Sequence, residues 1–386
     1  MVLRALATLS LLGLLAGCGD SGTTIVDPGL QYSSEWSWKL PPNFPVPVVP
    51  DENPMSESKF QLGRTLFYDI RLSGNGTYAC ASCHLQSLAF TDGLVLSEGA
   101  TGQNTARNAP SIANTVYHPT LTWIGPGSHS LEQQMQTPLF AENPVEMGVN
   151  DSNRGTVLQR FRDDPDYVTW FAEVFYDESD PINFTNIIKA ISTFQRGVLT
   201  GNSKFERYQR GEVVLSASEE RGRLLFNGET AECFHCHGSF NFNDQVTYLG
   251  VRTVDILFHN TGLYNVGDTT QGLYPEGNQG LYESTGRPQD MGAFRAPSLY
   301  NVELTAPYMH DGSVATLEEA LDNYAAGGRH IVSGPNAGDG RNNPYKSDLI
   351  TLINLSEQDK ADIVAFLKTL TDYDLISNPR YADPFQ

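Results

Sequence analysis

The chain has 386 residues, with 45 acidic side chains against 25 Lys and Arg and a formal charge of −20, which argues against nucleic acid or an anionic surface as a partner. That length suits about two domains with ample core for each. Of its five cysteines, four fall in two like-patterned motifs and the fifth stands at Cys18, so none is left for a disulfide.

Arg4 gives a positive start, Leu6 to Leu15 an apolar run too short to span a bilayer, and Leu15-Ala16-Gly17-Cys18 a small-residue cleavage site. This stretch resembles a bacterial lipoprotein signal covering residues 1–17. Cleavage there leaves Cys18 lipidated and places the protein on the periplasmic side of a bacterial membrane, touching it only through that lipid; a plain signal peptide cut nearby is the alternative. Residues 18–50 read as a tether, with Pro41, Pro42, Pro45, Pro47 and Pro50 favouring extended chain and Trp36 and Trp38 placed to pack it on the body. Nothing later is long and apolar enough to cross a membrane.

The rest reads as a repeat. Gly63-Arg64-Thr65-Leu66-Phe67 precedes Cys80-Ala81-Ser82-Cys83-His84, and Gly222-Arg223-Leu224-Leu225-Phe226 precedes Cys233-Phe234-His235-Cys236-His237. Two cysteines flanking two residues and followed at once by histidine form the attachment signature of c-type haem: the thiols add to the vinyl groups and the histidine ligates iron. Zinc knuckles would need only the cysteine pairs, and the histidine directly after both copies makes that improbable. Two covalent haems are therefore expected.

The match continues in Ala109-Pro110-Ser111-Ile112-Ala113-Asn114 against Ala296-Pro297-Ser298-Leu299-Tyr300-Asn301, and in Ser130-Leu131-Glu132 against Thr316-Leu317-Glu318. Each half closes on an amphipathic helix, through Ile187, Ile188, Ile191 and Phe194 in one and Ile363, Val364, Phe366, Leu367 and Leu370 in the other. Ser356 with Asp359 makes a capping box for the second. The fold expected is mainly α: two cytochrome c-like domains related by internal duplication, residues 51–210 and 211–386, with long irregular loops. The boundary falls near Lys204 to Ser216, and roughly Gly238 to Phe294 is an irregular insertion that walls one haem or meets a partner.

A c-type haem gets one ligand from its motif, so its behaviour depends on the other face. Seven residues past Leu317 stands Tyr324, on the same helical face as Leu317 and Leu321; seven past Leu131 stands Pro138, which ligates nothing. The first iron is then open and high-spin and the second six-coordinate. Met309, His310 and His259 are rival ligands.

These features resemble the di-haem cytochrome c peroxidase superfamily from about Asn53 to the C-terminus. The marks are the paired haem motifs, Arg107-Asn108-Ala109-Pro110, Ser130-Leu131-Glu132-Gln133-Gln134, Asn143-Pro144-Val145-Glu146-Met147-Gly148 and Leu304-Thr305-Ala306-Pro307-Tyr308-Met309-His310-Asp311-Gly312. Ordinary peroxidases of the superfamily place methionine at the position of Tyr324 and a displaceable histidine between the first haem motif and Arg107. MauG-like enzymes place tyrosine there, and between Leu85 and Ala106 this sequence has no histidine.

By the same resemblance Glu146 and Gln134 line the distal pocket of the first haem beside Pro138, Trp123 lies between the haems, and Asn108 with the carbonyls of Arg295 and Pro297 holds calcium. Two departures stand out: the stretch from Pro138 to Glu146 is two residues longer than usual, and Ala231 replaces the tryptophan by which MauG itself passes on oxidising equivalents. The lipoprotein start and the stretch from Trp38 to Pro54 resemble the MbnH-type subgroup, which pairs with a copper-binding partner and oxidises one of its tryptophans to kynurenine.

The implied enzyme binds hydrogen peroxide beside His84, uses Glu146 to move its proton, and shares two oxidising equivalents between the haems as a bis-Fe(IV) state, with Trp123 as relay. A phenolate from Tyr324 favours the higher oxidation states of the second iron, where thioether favours the reduced one. Trp170 and the tyrosines are further relay candidates, with core packing the plainer reading for each. The competing readings are an ordinary peroxidase drawing electrons from a small cytochrome and a non-catalytic di-haem electron carrier.

Overall fold

The structure is a computed structural model that describes residues 35–125 and 129–386. The expected signal segment, Cys18 and the start of the tether lie outside the described residues. In chain order the helices are α1 (Glu57–Tyr68), α2 (Leu131–Gln134), α3 (Gln136–Phe140), α4 (Arg154–Arg162), α5 (Pro165–Val174), α6 (Phe184–Gly197), α7 (Lys204–Gln209), α8 (Ala217–Phe226), α9 (Phe234–His237), α10 (Tyr282–Thr285), α11 (Leu317–Ala325) and α12 (Glu357–Lys368). Among the described residues the only sheet is the ladder of β1 (His330–Ile331) with β2 (Gly338–Asp339), and no helix is long and apolar enough to cross a membrane.

Local chemistry sets where the long helices begin. Ser56 accepts a hydrogen bond from the Lys59 amide at the start of α1, and Asn183 does the same for Asn186 at the start of α6. Ser216 with Glu219 caps α8, and Ser356 with Asp359 forms the expected capping box of α12. Each of these satisfies backbone donors that the first turn leaves without a helical partner.

Two helix pairs then form the duplicated frame, α1 on α6 and α8 on α12. At each crossing the repeat places a glycine: a Cβ on Gly63 would lie 1.9 Å from the Ala190 carbonyl oxygen, and one on Gly222 1.8 Å from that of Asp362. Only hydrogen fits there, so the backbones approach closely. The neighbouring aromatics repeat too, with Phe67 against Phe194 at 5.0 Å between ring centroids and Phe226 against Phe366 at 5.2 Å. Asn114 and Asn301, also repeat counterparts, both adopt left-handed backbone (φ 58° and 60°) and clasp the strand of chain leaving α6 or α12.

The first core gathers Phe60, Leu66, Phe161, Phe171 and the apolar face of α6; the second gathers Phe226, Leu317, Leu321 and the apolar face of α12. Two segments cross the expected division at residues 210 and 211. Helix α7 forms where glycine and charge suggested an interruption, and Phe205 in it packs on Phe366 and Phe242 of the second core. The chain after α12 returns to the first core, where Leu375 and Tyr381 are buried and Arg64 donates to the Pro379 carbonyl at 2.9 Å.

The insertion is irregular, as expected, yet Leu263, Tyr264, Tyr274, Met291 and Phe294 from it form a third cluster with Val314. In the N-terminal arm Trp36 packs on Phe60, and Phe44 meets Tyr117, Phe240 and Tyr300.

Candidate haem sites

Both CxxCH motifs fold as tight helical turns, Cys80–Ser82 as one turn of 3₁₀ helix and Phe234–His237 as α9. Nδ1 of His84 lies 2.9 Å from the Phe90 carbonyl oxygen, and Nδ1 of His237 lies 2.9 Å from that of Phe242. A carbonyl only accepts, so the ring proton sits on Nδ1 and the lone pair of Nε2 is free to ligate. Phe90 and Phe242 hold left-handed backbone (φ 65° and 50°), which turns each carbonyl onto its ring. These two positions escaped the sequence reading; the matching aromatics six and five residues after the histidines are the signal that could have found them.

None of the four motif cysteines is tied up in a disulfide. Burial pushes the Cys80 and Cys233 thiols up to about 12 and that of Cys83 up to about 11. Each motif sets two thiols and one anchored imidazole together, which is the donor set of covalent haem and one ligand short of a closed structural zinc site. The residues therefore fit covalent haem at both motifs.

A cavity of about 260 Å³ opens beside the second motif, lined by Cys233, Cys236, His237 and Tyr324, with Leu321 and Ile363 among its apolar walls. Tyr324 comes from the last turn of α11, and its hydroxyl makes no hydrogen bond among the described residues. Burial raises its pKa, so an anionic oxygen here requires a cation close by. Of the rival ligands, His259 is committed elsewhere: its Nε2 lies 2.5 Å from Asp244, whose hydrogen bond raises its pKa to about 10 and leaves it a cation without a free lone pair. Met309 and His310 also line the cavity, the latter flat against Phe294 at 3.6 Å.

At the first motif Pro138 lies in α3 and Gln134 ends α2. Glu146 sits on the loop beyond, and its charge acts on both Cys80 and Cys83. Its carboxyl makes no hydrogen bond among the described residues, and burial raises its pKa. The extra length between Pro138 and Glu146 is taken up by a turn in which Glu142 pairs with Val145, and the Glu146 carbonyl accepts from Ala100 at 2.7 Å.

Trp123 joins the two halves. Its Nε1 donates to the Asn108 carbonyl at 2.9 Å, its own carbonyl accepts from the Arg295 amide at 3.1 Å, and its ring lines the second cavity. Trp170, only 2% exposed, is packed in the first core. The Asn108 side chain donates to the Leu94 carbonyl at 2.7 Å, and no donor among the described residues reaches its Oδ1. The Pro297 carbonyl lies toward the His237 ring.

Duplicated helix pairs, each carrying an anchored histidine and two thiols, define a two-haem c-type protein with one protein-supplied oxygen facing its second site. The family model for di-haem cytochrome c peroxidase matches residues 57–214. Cytochrome-c peroxidase IdrP1 of Denitromonas iodatirespirans is 36% identical over 348 residues, covering 86% of this chain and 87% of its own. The methylamine utilization protein MauG of Methylorubrum extorquens is 32% identical over 358 residues, covering 92% and 89%. The crystal structure of a MauG-like protein associated with microbial copper homeostasis superposes with a TM-score of 0.89 at 56% identity, covering 91% of this chain and all of that one. The chain belongs to the di-haem cytochrome c peroxidase and MauG family, and is an oxidoreductase of that family.

Proposed function

We propose that this protein is a MauG-like enzyme that takes two oxidising equivalents from each hydrogen peroxide and spends them on a residue of a copper-binding partner protein, two turnovers and a hydrolysis that releases formate converting a tryptophan to kynurenine. Tyr324 carries the proposal: it stands where ordinary peroxidases of the family hold methionine, in the cavity that also holds His237. The copper link rests on the similar MauG-like structure associated with copper homeostasis.

When bound, the haems supply peroxide activation and storage of its oxidising equivalents. His84 and His237 present Nε2 to them. Pro138 carries no ligating group, so a haem held by His84 would gain no ligand from that residue and could bind peroxide. Glu146, as carboxylate, would take the proton of one peroxide oxygen and deliver it to the other, so that water could leave. Gln134 offers an amide to orient that oxygen. Tyr324 provides the hard anionic oxygen that favours oxidised iron, and Trp123 the aromatic step between the sites. On the same proposal Asn108 Oδ1 and the carbonyls of Arg295 and Pro297 hold a calcium ion. Cys18 carries a lipid on the periplasmic side of the membrane; Cys18→Ala should then move the protein out of the membrane fraction, and unchanged fractionation would count against the lipid.

The test is incubation of ferric holoenzyme, peroxide and a tryptophan-bearing copper-binding partner, with mass spectrometry of the partner. Conversion of a tryptophan to kynurenine supports the proposal. Peroxide consumption only when a small reduced cytochrome is supplied favours the ordinary peroxidase reading, to which the similarity to IdrP1 lends weight.

A further inference from the structure

The insertion and His310 bring together four rings in a row. Phe294 and His310 stack at 3.6 Å with planes 11° apart, and both line the second haem cavity. Tyr274 lies 6.3 Å from Phe294 and 6.4 Å from His310, ring centroid to centroid, and Tyr264 meets Tyr274 edge-on at 5.4 Å. The row ends at a surface groove lined by Tyr264, Arg329, His330, Ile331, Val332 and Pro335. Arg329 stacks over the outer tyrosine, 4.6 Å from its ring centroid.

The two tyrosines differ in where their protons can go. Tyr274 donates to the Asn260 side-chain oxygen at 2.7 Å, and an amide oxygen does not take up a proton at neutral pH. Tyr264 donates to a carboxylate oxygen of Asp311 at 2.6 Å. The other oxygen of Asp311 accepts from the Ser313 amide at 3.1 Å, so the carboxylate is fixed at the Tyr264 hydroxyl as the one proton acceptor the row offers. Oxidation of a tyrosine expels its proton, so an electron vacancy moving along this row comes to rest at Tyr264, under the groove.

We infer that Tyr264 is the outer relay through which an electron from the partner proposed above enters, by way of Tyr274 and the Phe294–His310 stack, the second haem site. Tyr264 gives one electron inward and its phenolic proton to Asp311. The partner then gives one electron to the tyrosyl radical, and Asp311 returns the proton. Two passes deliver the two electrons that, with two protons, reduce hydrogen peroxide to two waters. This role rests on the peroxide-driven oxidation of a partner proposed above.

The experiment is freeze-quench EPR of ferric holoenzyme after one equivalent of peroxide, with the lifetime of the oxidised state followed by absorption, for wild type, Tyr264→Phe and Asp311→Asn. Tyr282→Phe, in the same cluster but off the row, is the control. A tyrosyl signal in wild type that disappears in both Tyr264→Phe and Asp311→Asn, with decay slowed about tenfold or more, is the expected result. A tyrosyl signal and decay unchanged in Tyr264→Phe, or equally changed in Tyr282→Phe, overturns the relay while leaving the peroxide chemistry standing. A ferric holoenzyme inert to peroxide removes both the relay and the proposed function.

Discussion

The Met147 amide donates to the Pro138 carbonyl at 2.9 Å. That bond closes the lengthened loop and returns Glu146 to the side of Pro138, so the carboxyl stays near the first motif although the intervening chain is rebuilt. Replacing Glu146 by glutamine keeps the shape and removes the proposed proton carrier. Stopped-flow mixing with peroxide should show the rate fall by about 100-fold or more.

The same residue predicts a pH signature. Burial raises its pKa, so the carboxylate, the form that accepts a proton, is lost as pH falls through that raised value. The peroxide rate should therefore drop on the acid side in wild type, and Glu146→Gln should lack that limb. Because the folded-state pKa lies above the unfolded one, the stability tied to the neutral acid is present at low pH and lost as pH rises through the folded pKa. Glu146→Gln should then be at least as stable as wild type at neutral pH by thermal melting; a less stable variant would mean that the carboxylate has a structural partner.

Gly63 and Gly222 make matching demands on the two helix pairs. Alanine at either would force a methyl group into a backbone carbonyl, so each variant should lose about 3 kcal/mol or more in chemical denaturation. Serine should be no better tolerated. A loss below the usual alanine-for-glycine scatter would show that the helices part easily.

Tyr324→Met restores the ligand type of the ordinary peroxidases. The second haem should gain a higher reduction potential, since thioether favours the reduced iron, and Tyr324→Phe should remove its six-coordinate EPR signal. An unchanged signal in Tyr324→Phe would shift the ligand to Met309 or His310, which line the same cavity.

Calcium can be checked by metal analysis of the purified holoenzyme and by chelation. Loss of calcium should perturb the second-site spectrum, because Asn108 also holds the Trp123 indole through its carbonyl. A protein free of calcium with an unaltered spectrum would end that assignment.

The haem motifs were legible because covalent attachment and axial ligation are written in five adjacent residues. The helix pairs were legible because the repeat carries its glycine, its capping residues and its apolar period twice. Helical spacing brought Tyr324 forward among its rivals, since α11 keeps the face of Leu317 and Leu321 through to its last turn, and the family resemblance singled it out. Other features left a fainter trace or none. Phe90 and Phe242 act through backbone carbonyls, which any residue possesses. Helix α7 is held by a capping box and by Phe205 packing on a distant core, so its own charge-rich sequence misleads. The row from Phe294 to Tyr264 is assembled from loops without period, where only tertiary folding sets one ring beside the next. The return of the C-terminal tail to Arg64 joins residues 315 apart in sequence.

Titration of the fully ferric holoenzyme with stoichiometric peroxide, followed together by absorption and EPR, tests the central claim most directly. The expected result is one high-spin and one low-spin signal before peroxide and the loss of both after one equivalent, without any added reductant. A ferric protein that leaves peroxide untouched until one haem has been reduced would contradict the account and identify an ordinary cytochrome peroxidase.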